Sequence, residues 1–274
     1  MTLEQAVLDT LRYSAQFKYP LTSKEVHKYL IFSKKAGYKE VLRTLDILVK
    51  KNKILKEGIY YLFSKSPTWV EHRLESEKKV KKLLLKTQED LKFFNKVFFI
   101  KFVGVTGSVA ANNINTYYDV DLFFILQKNF LWIGRFFIWL YFKLKKVYRL
   151  PYCPNILISQ DSLVWDKKNI YIANEIARMI SLINKDKTYE SFLNKNKWVL
   201  RFLPNFDYFI PRIKYLNHNS FLSYLAYPLE IIFFISQYFY MKPKITTERV
   251  SFKKILFFKN DYSDKILNNF YQST

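Results

Sequence analysis

Two aspartates one residue apart, Asp119 and Asp121, stand among apolar neighbours in the stretch "VTGSVAANNINTYYDVDLFFI", Val105 to Ile125. In an extended strand residues i and i+2 point to one side, so this spacing presents two carboxylates together, while Val120 and Leu122 point to the other side, toward a core. Two like charges held that close raise each other's pKa and resist desolvation. A divalent cation resolves the conflict. Hard oxygen ligands suit Mg²⁺, which takes one or two carboxylates and fills its other positions with water and substrate phosphates. Two such ions about 4 Å apart can clamp the attacking and leaving oxygens of a phosphoryl or nucleotidyl transfer.

Upstream, Gly107-Ser108 interrupts an apolar run, with ten residues between Ser108 and Asp119. Glycine lets the backbone approach a ligand closely. Ser108 offers a hydroxyl where a helix can begin, and a helix N-terminus attracts phosphate. The turn and the acids together make a phosphate cradle beside a metal-binding pair.

The elements that must position these groups follow from periodicity. "VFFIKFVGV" and "DVDLFFIL" read as strands rich in β-branched and aromatic residues, "FLWIGRFFIWLYFKLKK" as a helix, and "PNILIS" (Pro154–Ser159) as a third strand. Ahead of them, "LEQAVLDTL", "TSKEVHKYL" and "GYKEVLRTLDILVKK" have helical spacing, and Thr22 with Glu25 has the spacing of a capping box. "ILKEGIYYLF" reads as a hairpin turning at Glu57-Gly58. Three helices and a hairpin are the plan of a winged helix-turn-helix, whose third helix would show Lys39, Arg43, Lys50 and Lys51 to phosphates. "TWVEHRLESEKKVKKLLLKTQEDLKFF" reads as a long connecting helix with Val70, Leu74 and Leu84 as its apolar points. Beyond Asn169 the signals are helical, "IYIANEIARMISLI" among them. The expected fold class is therefore α+β: a winged helix-turn-helix at 1–66, a connecting helix at 67–95, a small mixed-sheet core at 96–168 and a C-terminal helical region at 169–274.

Composition narrows the partners. The net charge of +22 points to a polyanion, whether nucleic acid, nucleotide phosphates or an acidic membrane surface, although only nine of the 45 basic residues are arginine, a bias that an AT-rich genome also writes. One cysteine, Cys153, allows no internal disulfide and fits a reducing compartment. His27, His72 and His218 have no partners at zinc-ligand spacing. The N-terminus does not read as a signal peptide, and a cytoplasmic location is expected. "FLWIGRFFIWLYF" is too short to span a bilayer and carries Arg135. "FLSYLAYPLEIIFFISQYFYM" is long enough but contains Pro228, Glu230 and Gln237, so it reads as a buried helix broken near the proline, with no membrane contact expected.

Gly107-Ser108, ten residues, then Asp119-Val120-Asp121 between hydrophobics resembles the signature of the DNA polymerase beta-like nucleotidyltransferase superfamily, over about residues 98–159. The layout also resembles a bacterial group in that superfamily with a winged helix ahead of the core and helices behind it, where "KNKWVLRFLPN" and "FFKNDYSDKIL" would belong. The resemblance implies a mixed sheet bearing helices, Mg²⁺ as cofactor, and a nucleoside triphosphate, ATP first, as nucleotidyl donor. It makes Gly107 and Ser108 triphosphate contacts, and Asp119 and Asp121 the metal ligands and catalytic residues. Many members carry a third carboxylate on a later strand. Here that strand offers Asn155, which cannot accept a proton, and Asp161 just beyond it. Lys101, Lys128, Arg135 and Arg149 are further candidates for phosphate or acceptor contacts.

The expected function is Mg²⁺-dependent transfer of a nucleotidyl group to an acceptor hydroxyl, with RNA or DNA favoured and a protein or small molecule open. The alternative is a DNA-binding regulator whose nucleotidyltransferase-like domain senses nucleotide without turnover. A third class, a module whose basic apolar helix lies on acidic membranes, also stays open.

Overall fold

A computed structural model describes residues 1–64, 66, 68–115, 118–206, 221–257 and 262–272. Thr116 and Tyr117, between the Gly-Ser turn and the aspartates, lie outside the described residues, as do His218 and residues 258–261 of "FFKNDYSDKIL". The chain is α+β with mixed strand directions.

The N-terminal module contains α1 (Leu3–Ala15), β1 (Leu21–Thr22), α2 (Ser23–Lys28), α3 (Tyr38–Lys50), β2 (Leu55–Glu57) and β3 (Tyr60–Leu62). The capping box at α2 is formed: the Glu25 N–H donates to Thr22 Oγ1 at 3.3 Å, and the Thr22 N–H donates to Glu25 Oε2 at 2.9 Å. The apolar faces of the three helices, including Val7, Leu11, Val26, Val41, Leu45 and Leu48, close on one another. β3 pairs antiparallel with both β1 and β2. Glu57 pairs with Tyr60, so the two-residue turn is Gly58-Ile59 rather than Glu57-Gly58, with Gly58 at φ +58°.

α4 (Trp69–Asp90) follows. Its buried stripe is Arg73, Ser76, Val80, Leu83 and Thr87, whereas Leu74 is exposed and Val70 and Leu84 are half-buried. The expected apolar points were displaced because polar residues on this helix find tertiary partners. Arg73 pairs with Glu25 at 2.8 Å and Glu77 at 2.6 Å, donates to the Pro20 carbonyl at 3.0 Å, and lies 3.9 Å from the Tyr19 ring centroid. It clamps the N-terminal module onto α4.

The central sheet begins with β4 (Ile100–Thr106), a single helical turn α5 (Gly107–Ala110), β5 (Val120–Leu126), α6 (Leu131–Leu144) and β6 (Tyr152–Ser159). β4 and β5 are antiparallel, whereas β5 and β6 are parallel and joined through α6. Residues 169–274 do not form the purely helical region expected. α7 (Ile170–Arg178) leads directly into β7 (Ile180–Asn184), which pairs with β4. After α8 (Thr188–Lys195) and α9 (Phe221–Met241), β8 (Arg249–Val250) and β9 (Lys254–Leu256) pair with each other, β9 also pairs with β6, and α10 (Tyr262–Gln272) follows. The order is β7-β4-β5-β6-β9-β8, so strands from the C-terminal region supply both edges of the sheet. "RMISLI" reads as a continuation of α7 because a short apolar run is ambiguous between the two periods.

β5 is buried on both faces. Val120, Leu122 and Phe124 meet α6 and α4 through Trp132, Phe142 and Val80, while Phe123 and Ile125 meet α7, α8 and α10 through Ile176, Phe192 and Phe270. Tyr13 of α1 joins the second layer. α9 is also not as expected. It runs unbroken through Pro228, whose missing N–H frees the Tyr224 carbonyl on the exposed side of the helix, where water can satisfy it. Most of its large side chains are exposed rather than buried.

Candidate active site

β4 ends where β5 begins, and this register builds the site. Thr106 pairs with Asp121, which puts the Gly107 turn against that carboxylate. Gly107 has φ +67°, and a Cβ on it would lie 2.3 Å from Asp121 Oδ2. Only glycine fits there, for backbone and for space. Asp119 immediately precedes β5 and Asp121 is its second residue; both are half-buried.

The parallel neighbour β6 brings Cys153 into register with Asp121. Asp119, Asp121 and Cys153 place ligand atoms within 4.8 Å of one another, a group able to hold a metal ion. The β5–β6 register then slips by one residue, and Asn155, at the slip, donates from Nδ2 to Asp121 Oδ1 at 2.9 Å. An amide therefore occupies the position where a third carboxylate was sought. Asp161 does not replace it. That residue lies beyond the far end of β6, paired with Lys253 at 2.8 Å and accepting from Ser159 at 2.6 Å.

A third carboxylate does approach, from another element. Glu175 on α7 is half-buried and accepts the Gly107 N–H at 3.3 Å. Burial at the end of the doubly covered strand, with the Asp119 and Glu175 charges adding to it, pushes the Asp121 carboxyl up to about 7; the Asn155 amide opposes this. Burial raises Glu175 as well, opposed by the Gly107 N–H and Arg178.

The phosphate-cradle expectation needs correction in two respects. α5 has only four residues, so it contributes little of a helix dipole, and the Gly107 N–H is already engaged by Glu175. Ser108 is exposed at the turn. Gly107 and Ser108 line a cavity of about 680 Å³ together with Glu175, Arg178 and residues of α1 and α4, so the N-terminal module forms one wall of it. Asp119, Asp121, Cys153 and Asn155 open into a second cleft of about 1170 Å³, walled by α6 and α9. The turn and the acid pair form the partition between the two spaces.

Among the expected cations, Arg135 and Arg149 line this larger cleft. Arg135 hydrogen-bonds Gln237, and burial lowers its pKa. Lys101 and Lys128 do not reach the site. Lys101 is near the opposite end of β4, paired with Asp186 at 2.8 Å, and Lys128 follows the far end of β5. In the N-terminal module Lys39, Arg43, Lys50 and Lys51 are all exposed, and Lys51 pairs with Glu4 at 3.0 Å.

Sequence reasoning missed Glu175 and Cys153 as site residues. Glu175 is the only acid in the apolar helix "IYIANEIAR", a signal that resembles an ordinary solvated face. Cys153 joins the site only through the parallel register. Compared with known protein families, curated proteins and solved structures, the chain shows no match.

Proposed function

We propose that this chain is a nucleotidyltransferase of the DNA polymerase beta-like kind, moving a nucleotidyl group from a nucleoside triphosphate, ATP first, to an acceptor hydroxyl. The observation carrying this reading is the contact between the Gly107 turn and Asp121, which leaves no room for a side chain and sets the exposed Ser108 beside the carboxylate pair, at the partition between the two cavities. The donor set fits Mg²⁺ through Asp119 and Asp121, and a cation would offset the burial and the neighbouring carboxylates that raise the Asp121 pKa. When bound, Mg²⁺ would neutralise triphosphate charge and polarise the phosphorus under attack. The chain's own groups do the rest: Ser108 offers a hydroxyl to the distal phosphates, Asn155 orients Asp121, and Arg135 and Arg149 supply positive charge across the acceptor cleft. The basic balance favours RNA or DNA as acceptor. A cytoplasmic site of action belongs to the same reading; no helix among the described residues is long and apolar enough to cross a membrane.

The test is incubation with each α-labelled triphosphate, Mg²⁺ and total cell extract, asking which molecular class takes up label. Label transfer that Asp121→Asn abolishes supports the proposal, and no transfer or binding with any of the four nucleotides refutes it.

One observation favours a second reading. Asn155 cannot serve as the base that the third carboxylate supplies elsewhere, so a nucleotide-sensing regulator without turnover is the alternative. In it the N-terminal module, read as a winged helix, binds duplex DNA through α3. That regulator would bind DNA with steep salt dependence and retain binding in Asp119→Asn.

A further inference from the structure

α9 turns the usual amphipathic pattern inside out. Its inward face carries three polar groups, Ser223, Glu230 and Gln237, among the apolar Ala226, Phe233, Phe234 and Met241, and each polar group is satisfied at the α6 side of the core. Ser223 Oγ accepts from Gln127 at 2.9 Å, and the Ser223 carbonyl accepts from Asn129 at 2.9 Å. Glu230 accepts the N–H groups of Trp132 and Ile133 at 2.8 and 3.0 Å. Gln237 donates to the Trp132 carbonyl at 2.9 Å. The outward stripe is apolar: Leu222, Leu225, Leu229, Ile232 and Phe239 recur at helical spacing and are each between 53 and 64% exposed. α6 continues the surface with Leu140 and Leu144. Single exposed leucines mean little, but a stripe interrupted only at Ser236 along a helix of 21 residues marks a surface that something covers.

Charge and chemistry choose the occupant. The two helices contain one acid, Glu230, and it is buried against α6. Exposed lysines gather where both helices end: Lys143 in the last turn of α6, Lys145 and Lys146 after it, and Lys242 and Lys244 after α9, with Lys143 and Lys244 lining one cleft. Tyr224, Tyr227 and Tyr240, each exposed, flank the stripe with amphipathic rings. A second copy of the same face would bring no acid to meet those lysines, and nucleic acid would leave the leucines without a partner. A leaflet containing anionic lipid meets both demands: acyl chains take the stripe, headgroup phosphates take the lysines, and long lysine stems reach from one region to the other.

We propose that the outer faces of α6 and α9 seat the protein on anionic lipid bilayers, with α9 lying in the headgroup plane rather than crossing it. This inference does not require the reaction proposed above, although Lys143, Tyr240 and Lys244 also line the cleft in front of Asp119 and Asp121.

The experiment is flotation of the full chain with phosphatidylcholine vesicles, with and without about a third phosphatidylglycerol. The protein is expected to float with the anionic vesicles, to stay behind with the neutral ones, and to release as salt rises. Lys145→Glu with Lys242→Glu should weaken binding by roughly thirtyfold or more, because each lysine near the surface contributes about fivefold and reversing its charge adds repulsion. Leu225→Glu with Ile232→Glu should abolish flotation without lowering the thermal midpoint, since both side chains are exposed. Absence of flotation with anionic vesicles overturns the proposal. So does equal binding to both compositions, or a dimer in light scattering that the Leu225 and Ile232 changes dissociate. A lowered midpoint in that pair of changes also overturns it, because the stripe would then be packed by the chain itself; the lysine pair tests the proposal without touching the stripe.

Discussion

Replacing Asp121 by Asn should stabilise the metal-free protein at pH 8. The carboxyl is raised from 3.8 to about 7 by burial and by the Asp119 and Glu175 charges. For an acid whose folded pKa is raised, the cost is absent below its unfolded value near 4. It grows as pH rises from 4 to 7, while the unfolded chain releases its proton and the folded chain holds it, and it is constant above 7. About three pKa units correspond to a ceiling of about 4 kcal/mol. Because the carboxyl opens onto a wide cleft, screening reduces this to roughly 1–2 kcal/mol. Asparagine keeps an oxygen for the Asn155 amide and removes the charge. In thermal melts with chelator at pH 8, Asp121→Asn should melt roughly 2–6 °C above the parent chain, and the gap should close by pH 4. Millimolar Mg²⁺ should raise the parent's midpoint at pH 8 and leave the variant's unchanged. A variant less stable than the parent at pH 8, or a gap that does not narrow on acidification, would refute the electrostatic account of this site.

Three further outcomes follow from the same geometry. Gly107→Ala forces a side chain into φ +67° and against Asp121 Oδ2; it should cost about 1–2 kcal/mol in the backbone alone and remove the Mg²⁺-induced midpoint shift, read by melting with and without metal. Cys153→Ser replaces a soft donor by a hard one beside two carboxylates, so the ratio of Mn²⁺ or Zn²⁺ affinity to Mg²⁺ affinity should fall, measured by competitive metal titration. Arg73→Ala leaves Glu25 and Glu77 without their buried cation, and denaturant titration should show a loss of roughly 3–5 kcal/mol, with protease cutting first between the N-terminal module and α4.

What could be read from residues alone, and what could not, divides along physical lines. β4, β5 and β6 were legible because β-branched and aromatic residues cluster over short runs, and the capping box at Thr22 and Glu25 because its spacing is local. Glu175 was not legible, since only tertiary packing aims α7 at the Gly107 N–H. Cys153 required the parallel register of β5 and β6. β7 was hidden because five apolar-rich residues directly after a helix fit either period. α9 misled most. A count of apolar residues reports how much hydrophobic surface a helix carries but not which side faces out, and here the first turn of α6 takes Glu230 and Gln237.

Ser223, Glu230 and Gln237 recur every seven residues, two helical turns apart, and each is pinned to the region of α6 or the loop before it. They act as a ratchet with its pawl engaged. Advancing α9 by one residue turns it through roughly 100°, which would strip the first amides of α6 of their acceptor and drive leucines against them. The two helices are thereby keyed into a single plate. For these two helices to widen or narrow the space in front of Asp119 and Asp121, the plate would have to tilt as a whole against β5 and β6, because one helix cannot slide past the other.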